Sequence, residues 1–397
     1  MHTEFAVVGG GLLGLSAAWA LSRRGHEVVV IDQAPTGHIG GGSHGTCRIF
    51  RLGYEQPAYV SLARQARDTW TELEDACGER LLYPAPQLTF GPQMEQVRDA
   101  LAQAGAPGEL LSAAEAARRF PGVAVFDPVL HEPQSAVIAA DRALAALARL
   151  TARVSEPTRV TAVAERGPGV RVSTADGDID AARVIVCAGA STARLVAGTG
   201  ITVPSSATME QVAYLAPASG ASRAATQGVA PIFVHYGGEF PYGLPVPGSD
   251  TYKIGIHFGG PPIDPDQQDH TEDTGLAARI ERAARRFLPG FDPHPVAVER
   301  CIYDNSPDTD FIIDRIGNIV LGCGTSGHGF KFGPLIGEWL ACLATGDAGA
   351  TTTGATSTGA PPPWFALSRF AAQATVLLWA TTYGLSTANM TAHCTGT

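Results

Sequence analysis

The first 32 residues contain the pattern that most constrains the fold. An apolar run is followed by Gly9, Gly11 and Gly14 in the spacing G-x-G-x-x-G, then by a helical pattern to Arg24 and a second apolar run that ends at Asp32. This order predicts a strand, a tight turn, a helix and a parallel strand. Glycines at these positions permit the turn, the approach of a pyrophosphate and the packing of the helix on the sheet. We therefore predict a dinucleotide site whose ribose is bound by Asp32, and an ordinary βαβ turn is the alternative.

Length and charge limit the class of protein. A chain of 397 residues is too long for one compact core and predicts two or three domains. With 28 basic and 38 acidic residues the formal net charge is -10, which argues against nucleic acid as a partner. No apolar run reaches the roughly 18 residues that span a bilayer, and the first residues lack the pattern of a secretory signal. We expect a cytoplasmic monomer or small homo-oligomer without a membrane partner.

The seven cysteines suggest neither a disulfide framework nor a metal site. Their number is odd and none has C-x-x-C spacing, so we predict no bound metal ion. Cys301 opens the segment "CIYDNSPDTDFIID". Burial as a small apolar side chain is the simplest interpretation of that position.

A second glycine-rich segment, "GHIGGGSHGTCRIFR", follows soon after Asp32. A nicotinamide-binding domain would normally begin its next helix there, so the segment is more typical of a loop that crosses a bulky, flat cofactor. "ARVIVCAGAST", residues 182–192, predicts a buried strand that ends in small residues, which let a ligand approach the backbone. Arg48 and Arg51 lie three apart on the predicted loop, and a guanidinium can hold a carboxylate by two parallel hydrogen bonds. Surface salt bridges are the alternative for this pair.

The patterns along the chain predict a mixed α/β fold of two domains. A discontinuous Rossmann-like domain binds the cofactor, and a second domain with a mixed sheet binds the substrate. The first is assigned to residues 1–80, 135–205 and 300–370, and the second to residues 81–134 and 206–299. A linker rich in Gly, Thr, Ala and Pro precedes residue 364 and cannot pack a core. The nearly uncharged tail, residues 371–397, has no predicted role.

Four separated segments resemble, in this order, the monomeric sarcosine oxidase and N-methyltryptophan oxidase family. They are "SHGTCRIFR", "YGLP" with "KIGIHFGG" close behind it, "CIY", and "GTSGHGFKFGPLIGE". Members of the family are FAD-dependent amine oxidases of the D-amino acid oxidase superfamily. The resemblance therefore implies FAD as the cofactor. It also implies oxidation of the C–N bond of an N-methyl or cyclic amino acid to an imine, with O2 reduced to H2O2.

The resemblance assigns residues to the substrate and to a covalent cofactor link. Arg51 and Lys331 bind the substrate carboxylate. Tyr242 packs beside the substrate, although a core tyrosine is the alternative. Cys301 carries FAD through a thioether to the flavin 8α position, because "CIY" matches the family's attachment site.

Catalytic and cofactor-binding roles follow from the same resemblance. Lys253 is the site at which oxygen reacts, and a strand lysine that points to solvent is the alternative. Arg48, Tyr242 and His257 complete the catalytic set; an isolated histidine is more often structural. The cofactor-binding set consists of Gly9, Gly11, Gly14, Asp32, Ser43, His44, Arg48, Ala188, Gly189, Cys301, Gly327, His328, Gly329 and Lys331.

Two other functions remain open at this stage. One is a tailoring oxidase that desaturates a cyclic amino acid such as pipecolate or proline in a biosynthetic pathway. The other is a flavin-binding protein without turnover. Cys47 and Asp304 depart from the family's commonest residues at their positions, which leaves sarcosine itself in question as the substrate.

Overall fold

The computed structural model describes residues 2–126, 128–151, 153–155, 157–219, 230–347 and 359–371. In this part of the chain the strands form three sheets with helices packed around them, so the predicted mixed α/β fold class is confirmed. The predicted tail from residue 372 onward and most of the predicted linker, 348–358, lie outside the described residues. No helix among the described residues has the length and hydropathy needed to cross a membrane.

The elements are numbered in chain order. The helices are α1 (Leu12–Ser22), α2 (Pro57–Cys77), α3 (Met94–Gln103), α4 (Ala113–Arg119), α5 (Ala140–Leu150), α6 (Thr192–Val196), α7 (Thr274–Phe287) and α8 (Gly333–Thr345). The strands are β1 (His2–Val8), β2 (Val28–Ile31), β3 (Cys47–Phe50), β4 (Leu82–Pro84), β5 (Gln87–Phe90), β6 (Glu109–Leu111), β7 (Val129–Glu132), β8 (Ala136–Ala139), β9 (Val160–Arg166), β10 (Gly169–Thr174), β11 (Gly177–Val186), β12 (Ser206–Pro217), β13 (Ile232–His235), β14 (Pro241–Pro245), β15 (Tyr252–Ile256), β16 (Pro262–Ile263), β17 (Phe291–Asn305), β18 (Ile312–Ile316) and β19 (Ile319–Cys323).

The first sheet contains the predicted βαβ unit. Its strands lie in the order β18, β19, β11, β1, β2, and β10 and β9 continue from β11. β1 pairs in parallel with both β2 and β11. All four residues of β2 are buried, as expected for a parallel strand that is covered on both faces. The strands and helix predicted from the glycine pattern are confirmed, although α1 ends at Ser22, before the predicted end at Arg24.

Helices α1 and α8 pack against each other beside this sheet. A Cβ on Gly337 would lie 2.5 Å from the backbone of Ser16, so the helices approach closely there. Glu338 is buried and accepts hydrogen bonds from Arg23 and from Arg24, the latter at 2.7 Å. These contacts hold the middle and the end of α1 against α8.

The second sheet is mixed, as predicted for the substrate-binding part of the chain. Its strands lie in the order β16, β12, β15, β14, β13, β5, β7, β6, and β17 also pairs with β12. β13 and β5 are parallel, and the other pairs are antiparallel. β17 is long and continues through residue 300, so Cys301 lies opposite Glu210 of β12 in this sheet.

The third sheet carries the two arginines of the second glycine-rich segment. It has the order β3, β8, β4, and Arg48 of β3 pairs with Ile138 of β8. The prediction that Arg48 lies on a loop is therefore wrong. β8, distant in sequence, supplies the backbone partners that make residues 47–50 a strand, and Arg51 follows this strand directly.

Candidate active site

A cavity of about 2150 Å³, part of which is open to solvent, is lined by residues from all three sheets. The part of this space that water-sized groups can occupy is about 300 Å³, at the lower end of the roughly 300 to 1,000 Å³ typical of small-molecule sites. Every predicted site residue except Gly14 lines the cavity. Gly14 instead packs α1 on β1, since a Cβ there would overlap the carbonyl oxygen of Gly9.

The glycine turn lies at one end of the cavity and leaves the start of α1 open to it. Gly9 has a φ of +107°, and a Cβ on it would overlap the backbone of Cys187. Gly11 caps α1, whose first turn contains no acidic side chain, and the Leu12 N–H donates to Ser43 Oγ at 3.1 Å. Backbone N–H groups and the positive end of the helix dipole at this point suit a pyrophosphate.

Asp32 lies at the end of β2, on the cavity wall. Its Oδ2 accepts a hydrogen bond from the Gly10 N–H at 2.5 Å, and its Oδ1 accepts one from the Ala34 N–H at 3.1 Å. His38 Nε2 lies 3.2 Å from Oδ1. Burial favours a higher pKa for Asp32, but the hydrogen bonds from His38 and Gly10 outweigh it and hold the pKa below its usual range. The group therefore remains an ionised acceptor, as the predicted ribose contact requires.

Arg48 is held by backbone oxygens rather than by a carboxylate. Its guanidinium donates to the carbonyl oxygens of Cys47 at 3.0 Å, Gly42 at 3.3 Å and His44. It also lies 5.4 Å from the centre of the Phe330 ring. His44 Nδ1 lies 2.7 Å from the Gly41 carbonyl oxygen, so the histidine fixes the loop that carries these acceptors.

Arg51 and Lys331 meet at Tyr54. The Arg51 guanidinium donates to the Tyr236 hydroxyl and lies 4.5 Å from the centre of the Tyr54 ring. Lys331 Nζ donates to the Tyr54 hydroxyl and to the His328 carbonyl oxygen, each at 2.9 Å. Burial, and then the charge of Arg51, lowers the pKa of Lys331 well below its usual range. The negative charge of a bound carboxylate would oppose this lowering of the pKa.

Four cations of the cavity lack an acidic partner within the described residues. No described carboxylate oxygen lies within 4.0 Å of the charged nitrogens of Arg48, Arg51, Lys253 or Lys331. Buried charges are otherwise paired, because an isolated charge is costly to remove from water. Their grouping in a chain of net charge -10 indicates that the cavity binds anions.

Lys253 is the second residue of β15 and does not point to solvent. It is 4% exposed, its Nζ donates to the Cys47 carbonyl oxygen at 3.3 Å, and it lies 5.4 Å from the centre of the Tyr214 ring. Tyr214 in turn donates to Glu299 Oε2 at 2.7 Å. Burial, followed by the charge of Arg48, lowers the pKa of Lys253.

Three hydrogen-bonding rings line the cavity between the cations. Burial raises the pKa of both Tyr242 and Tyr303, and His257 Nδ1 lies 3.4 Å from the Tyr303 hydroxyl. Burial, together with the charges of Arg51 and Lys331, lowers the pKa of His257 to about 3. The histidine is therefore neutral near pH 7 and adds no charge to this wall.

The turn that precedes α8 is fixed by Asp304. Its carboxylate accepts hydrogen bonds from the Gly324 N–H at 2.8 Å and the Thr325 N–H at 3.1 Å. Gly327, with a φ of +73°, packs on the Tyr303 ring, where a Cβ would overlap the ring. His328 Nε2 lies 3.0 Å from the Thr309 carbonyl oxygen. The turn is thus a rigid part of the cavity wall.

Three of the described cysteines, Cys47, Cys187 and Cys301, line the cavity. Cys47 and Cys187 are buried, whereas Cys301 is partly exposed. Burial raises the pKa of the Cys301 thiol, and the nearby charges of Arg48 and Lys253 oppose that rise. Of these three, Cys301 is the thiol with both access and neighbouring cations.

Comparison with known proteins identifies the family. The profile of the DAO family, described as FAD dependent oxidoreductase, matches residues 4–343. The chain belongs to this family. Its glycine turn, Asp32 and unpaired cations fit the phosphates, ribose and flavin of the FAD that such oxidoreductases use.

Individual relatives confirm the resemblance to the monomeric sarcosine oxidase and N-methyltryptophan oxidase family. The monomeric sarcosine oxidase of Arthrobacter sp. (strain TE1826) is 30% identical over 361 residues, which cover 86% of this chain and 92% of the relative. The N-methyl-L-tryptophan oxidase of Yersinia pestis (strain Pestoides F) is 30% identical over 368 residues, 87% and 95% of the two chains. NikD, described as an unusual amino acid oxidase essential for nikkomycin biosynthesis, matches in structure with a TM-score of 0.78 and 26% identity, over 91% of this chain and 97% of that one.

Sequence reasoning missed several residues of this oxidoreductase's cavity. Tyr303 stands within "CIY" and could have been identified from that motif. Tyr54 lies three residues after Arg51, but a lone tyrosine gives no signal of a contact with Lys331. Tyr236 has no local signal, because its contact with Arg51 arises only when the second and third sheets meet.

Proposed function

We propose that the protein is an FAD-dependent oxidase of secondary amino acids, N-methylated or cyclic. It would convert the substrate C–N bond to an imine and reduce O2 to H2O2. The observation that carries the proposal is the pair of cavity cations, Arg51 and Lys331, joined through Tyr54 and without a described carboxylate partner. The names of the relatives, a sarcosine oxidase and an N-methyl-L-tryptophan oxidase, support a substrate of this class.

Residues on the cavity wall would hold FAD along its length. The start of α1 suits the pyrophosphate, Asp32 the ribose, and Arg48 with the 327–329 turn the flavin. Bound FAD would supply the two-electron acceptor for substrate and the two-electron donor to O2.

The substrate carboxylate would bind Arg51 and Lys331 by charge-assisted hydrogen bonds. Its charge would favour the ammonium form of Lys331, whose pKa burial depresses. The surrounding cations disfavour a protonated amine, so the substrate amine is held neutral. His257 is also neutral, and we assign no separate catalytic base.

Lys253 is proposed as the residue beside which O2 is reduced. Reduction of O2 produces an anion, and a cation in a water-poor cavity stabilises it strongly. The buried ammonium of Lys253, turned to the cavity and away from solvent, supports this role.

Cys301 is proposed to bind FAD covalently. Formation of the thioether removes one hydrogen from the thiol and one from the flavin 8-methyl group, and the two electrons released pass to O2. Arg48 and Lys253 favour the thiolate, which is the nucleophile.

A biosynthetic oxidase that desaturates a cyclic amino acid is the second candidate. The structural likeness to NikD, an amino acid oxidase of nikkomycin biosynthesis, favours it. The products distinguish the candidates, because demethylation of an N-methyl amino acid releases formaldehyde and ring oxidation releases a cyclic imine.

Anaerobic titration of the holoprotein tests the proposed function. Sarcosine, N-methylated aromatic amino acids, proline and pipecolate are added in turn while the flavin absorbance is recorded. Bleaching by at least one of them is expected. If none bleaches the flavin, the protein is a flavin-binding protein without this activity.

A further inference from the structure

A buried carboxylate is connected to Arg51 through a single glycine. Glu132 is the last residue of β7, is 2% exposed and is not among the residues that line the cavity. Its Oε2 accepts a hydrogen bond from the Gly53 N–H at 2.8 Å. The Gly53 carbonyl oxygen in turn accepts a hydrogen bond from Arg51 Nη1. Gly53 thus joins a carboxylate of the second sheet to the guanidinium of Arg51.

The contact between Gly53 and Glu132 requires a glycine. A Cβ on Gly53 would lie 2.4 Å from Glu132 Oε2 and 2.7 Å from Oε1, so any larger residue would displace the carboxylate. Gly53 is buried, and an N–H group left unpaired at a buried position costs free energy. The close approach therefore secures a hydrogen bond that water does not replace.

Strand β5 fixes the other oxygen of Glu132. Gln87 pairs with Glu132 across the strands, and its Nε2 donates to Glu132 Oε1 at 2.8 Å. The Thr89 hydroxyl donates to the same oxygen, and both donor residues are fully buried. Burial raises the pKa of Glu132, and the bond from Thr89 and the charge of Arg51 oppose the rise. Three donors therefore hold this carboxyl group in one orientation, and the carboxyl group holds Gly53.

The bond to Gly53 determines which edge of the Arg51 guanidinium is free. Nη1 donates both hydrogen bonds that this guanidinium makes within the described part of the chain, one to the Gly53 carbonyl oxygen and one to the Tyr236 hydroxyl. Arg51 lines the cavity, and Nε and Nη2 remain for a ligand. A carboxylate held by two parallel hydrogen bonds needs two N–H groups on one edge. A rotated guanidinium would lose this edge.

We infer that Glu132 is a positioning residue for the carboxylate site, because it holds Gly53 and thereby orients the guanidinium of Arg51. It touches neither substrate nor cofactor. The inference rests on the proposed function, since it assumes that Arg51 binds the substrate carboxylate, and it adds to that function a residue outside the cavity.

Two substitutions separate the hydrogen bonds of Glu132 from its charge. Glu132→Gln can keep the bonds, because its Oε1 can accept from Gly53 and its Nε2 can donate to Gln87 Oε1 once that amide turns; this oxygen has no hydrogen-bond partner among the described residues. Glu132→Met removes the bonds and keeps much of the volume. Cyclopentanecarboxylate, which has the ring and carboxylate of proline but no amine to oxidise, is titrated into each holoprotein by calorimetry.

The two variants are expected to differ in their affinity for the anion. Glu132→Met should weaken binding of cyclopentanecarboxylate by roughly three- to thirtyfold, because Arg51 loses its fixed orientation. Glu132→Gln should keep the affinity of the unmodified protein or raise it, because it removes a negative charge near the anion. Equal weakening in both variants would show that the charge acts and not the bonds. That result, or an unchanged affinity in Glu132→Met, would overturn the inference.

Two controls distinguish an effect on Arg51 from an effect on the fold. In the Arg51→Ala background, Glu132→Met should change the dissociation constant by less than about twofold, since Glu132 acts through Arg51. Glu338→Met makes the same substitution at a carboxylate that is 3% exposed and binds Arg23 and Arg24, and it should leave the affinity unchanged. A further loss in the Arg51→Ala background would overturn the inference. So would a loss in Glu338→Met equal to that in Glu132→Met.

Flavin reduction distinguishes failure of the inference from failure of the proposed function. With N-methyl and cyclic amino acids, Glu132→Met should raise the substrate concentration that half-saturates anaerobic reduction and leave the saturating rate nearly unchanged. A lower saturating rate with unchanged half-saturation would overturn the inference and leave the proposed function standing. If no such amino acid reduces the flavin of the unmodified protein, the proposed function is wrong. Binding of cyclopentanecarboxylate would then still decide whether Glu132 positions Arg51.

Discussion

Replacement of Lys253 with methionine should separate the two half-reactions of the proposed oxidase. The substitution preserves the length and much of the volume of the side chain and removes its charge. The ammonium donates to one carbonyl oxygen and faces an aromatic ring, and no described carboxylate oxygen lies within 4.0 Å of it. At about 4 Å from a superoxide anion it contributes about 4 kcal/mol at an effective dielectric constant of about 20. Reoxidation of the flavin by O2 should therefore slow by roughly a hundred- to a thousandfold.

Stopped-flow spectroscopy measures the two half-reactions of Lys253→Met separately. Anaerobic reduction by an amino acid should change much less than reoxidation, because the proposed carboxylate site lies at Arg51 and Lys331. Lys331→Met is the matched control, since it makes the same substitution at another buried cavity lysine. It should slow reduction at limiting substrate and leave reoxidation nearly intact. Reoxidation of Lys253→Met at the unmodified rate would refute the role of Lys253.

The pH dependence of reoxidation provides a further test of Lys253. The ammonium is present below the pKa of the folded state and is lost as the pH rises through it. Burial and the charge of Arg48 lower this pKa, so the alkaline fall in rate should occur below the ordinary lysine range, about 10.4. Glu299 acts in the opposite direction on the same group. Glu299→Gln should thus move the alkaline fall in the reoxidation rate to lower pH. If the fall occurs at the same pH in this variant, Glu299 has no effect on Lys253.

Three other variants test separate parts of the structure. Arg51→Ala should weaken binding of carboxylate ligands by roughly ten- to a hundredfold, as measured by titration. Amines without a carboxylate should lose much less affinity, and equal losses of affinity would show that Arg51 supports the fold and does not bind the carboxylate. Cys301→Ser should release flavin into the supernatant after acid precipitation, whereas the unmodified protein keeps its colour in the pellet; release from both would exclude the thioether. Glu338→Gln should lower the free energy of unfolding by about 1.5 to 3 kcal/mol in urea titrations, because it weakens the bonds from Arg23 and Arg24 to a buried carboxylate. An unchanged midpoint would show that this contact does not stabilise the packing of α1 on α8.

The sequence predicts best where the signal is local. The βαβ unit follows from adjacent apolar runs and from glycines that each have a steric reason at their position, as Gly9 and Gly14 show. Arg48 was placed on a loop because its strand forms only by pairing with β8, a contact between distant segments. Side-chain pattern within a few residues cannot reveal such a partner.

The candidate site also has a part that local sequence patterns predict and a part that depends on contacts between distant segments. Arg51 and Lys331 could be chosen from their chemistry and motifs, but their meeting at Tyr54 is a product of the tertiary fold. The grouping of the cavity-lining rings is also tertiary, since Phe240 and Tyr303 lie on separate segments that the second sheet brings together. The residues of the proposed carboxylate site could therefore be chosen from the sequence, whereas the rings that lie beside them could not.

The position of the cations explains how one cavity can serve several anions. Arg48 lies near the glycine-rich loop, Arg51 and Lys331 meet at Tyr54, and Lys253 lies on β15 above Tyr214. Each such charge costs free energy without a partner, so the flavin, the substrate carboxylate and reduced oxygen would each offset a different one. Ligands that bind the folded state alone also stabilise it by mass action, so a matching anion should raise the stability of the protein. In the proposed reaction the redox chemistry would belong to the cofactor, and the chain would supply fixed positive charge where negative charge binds or develops.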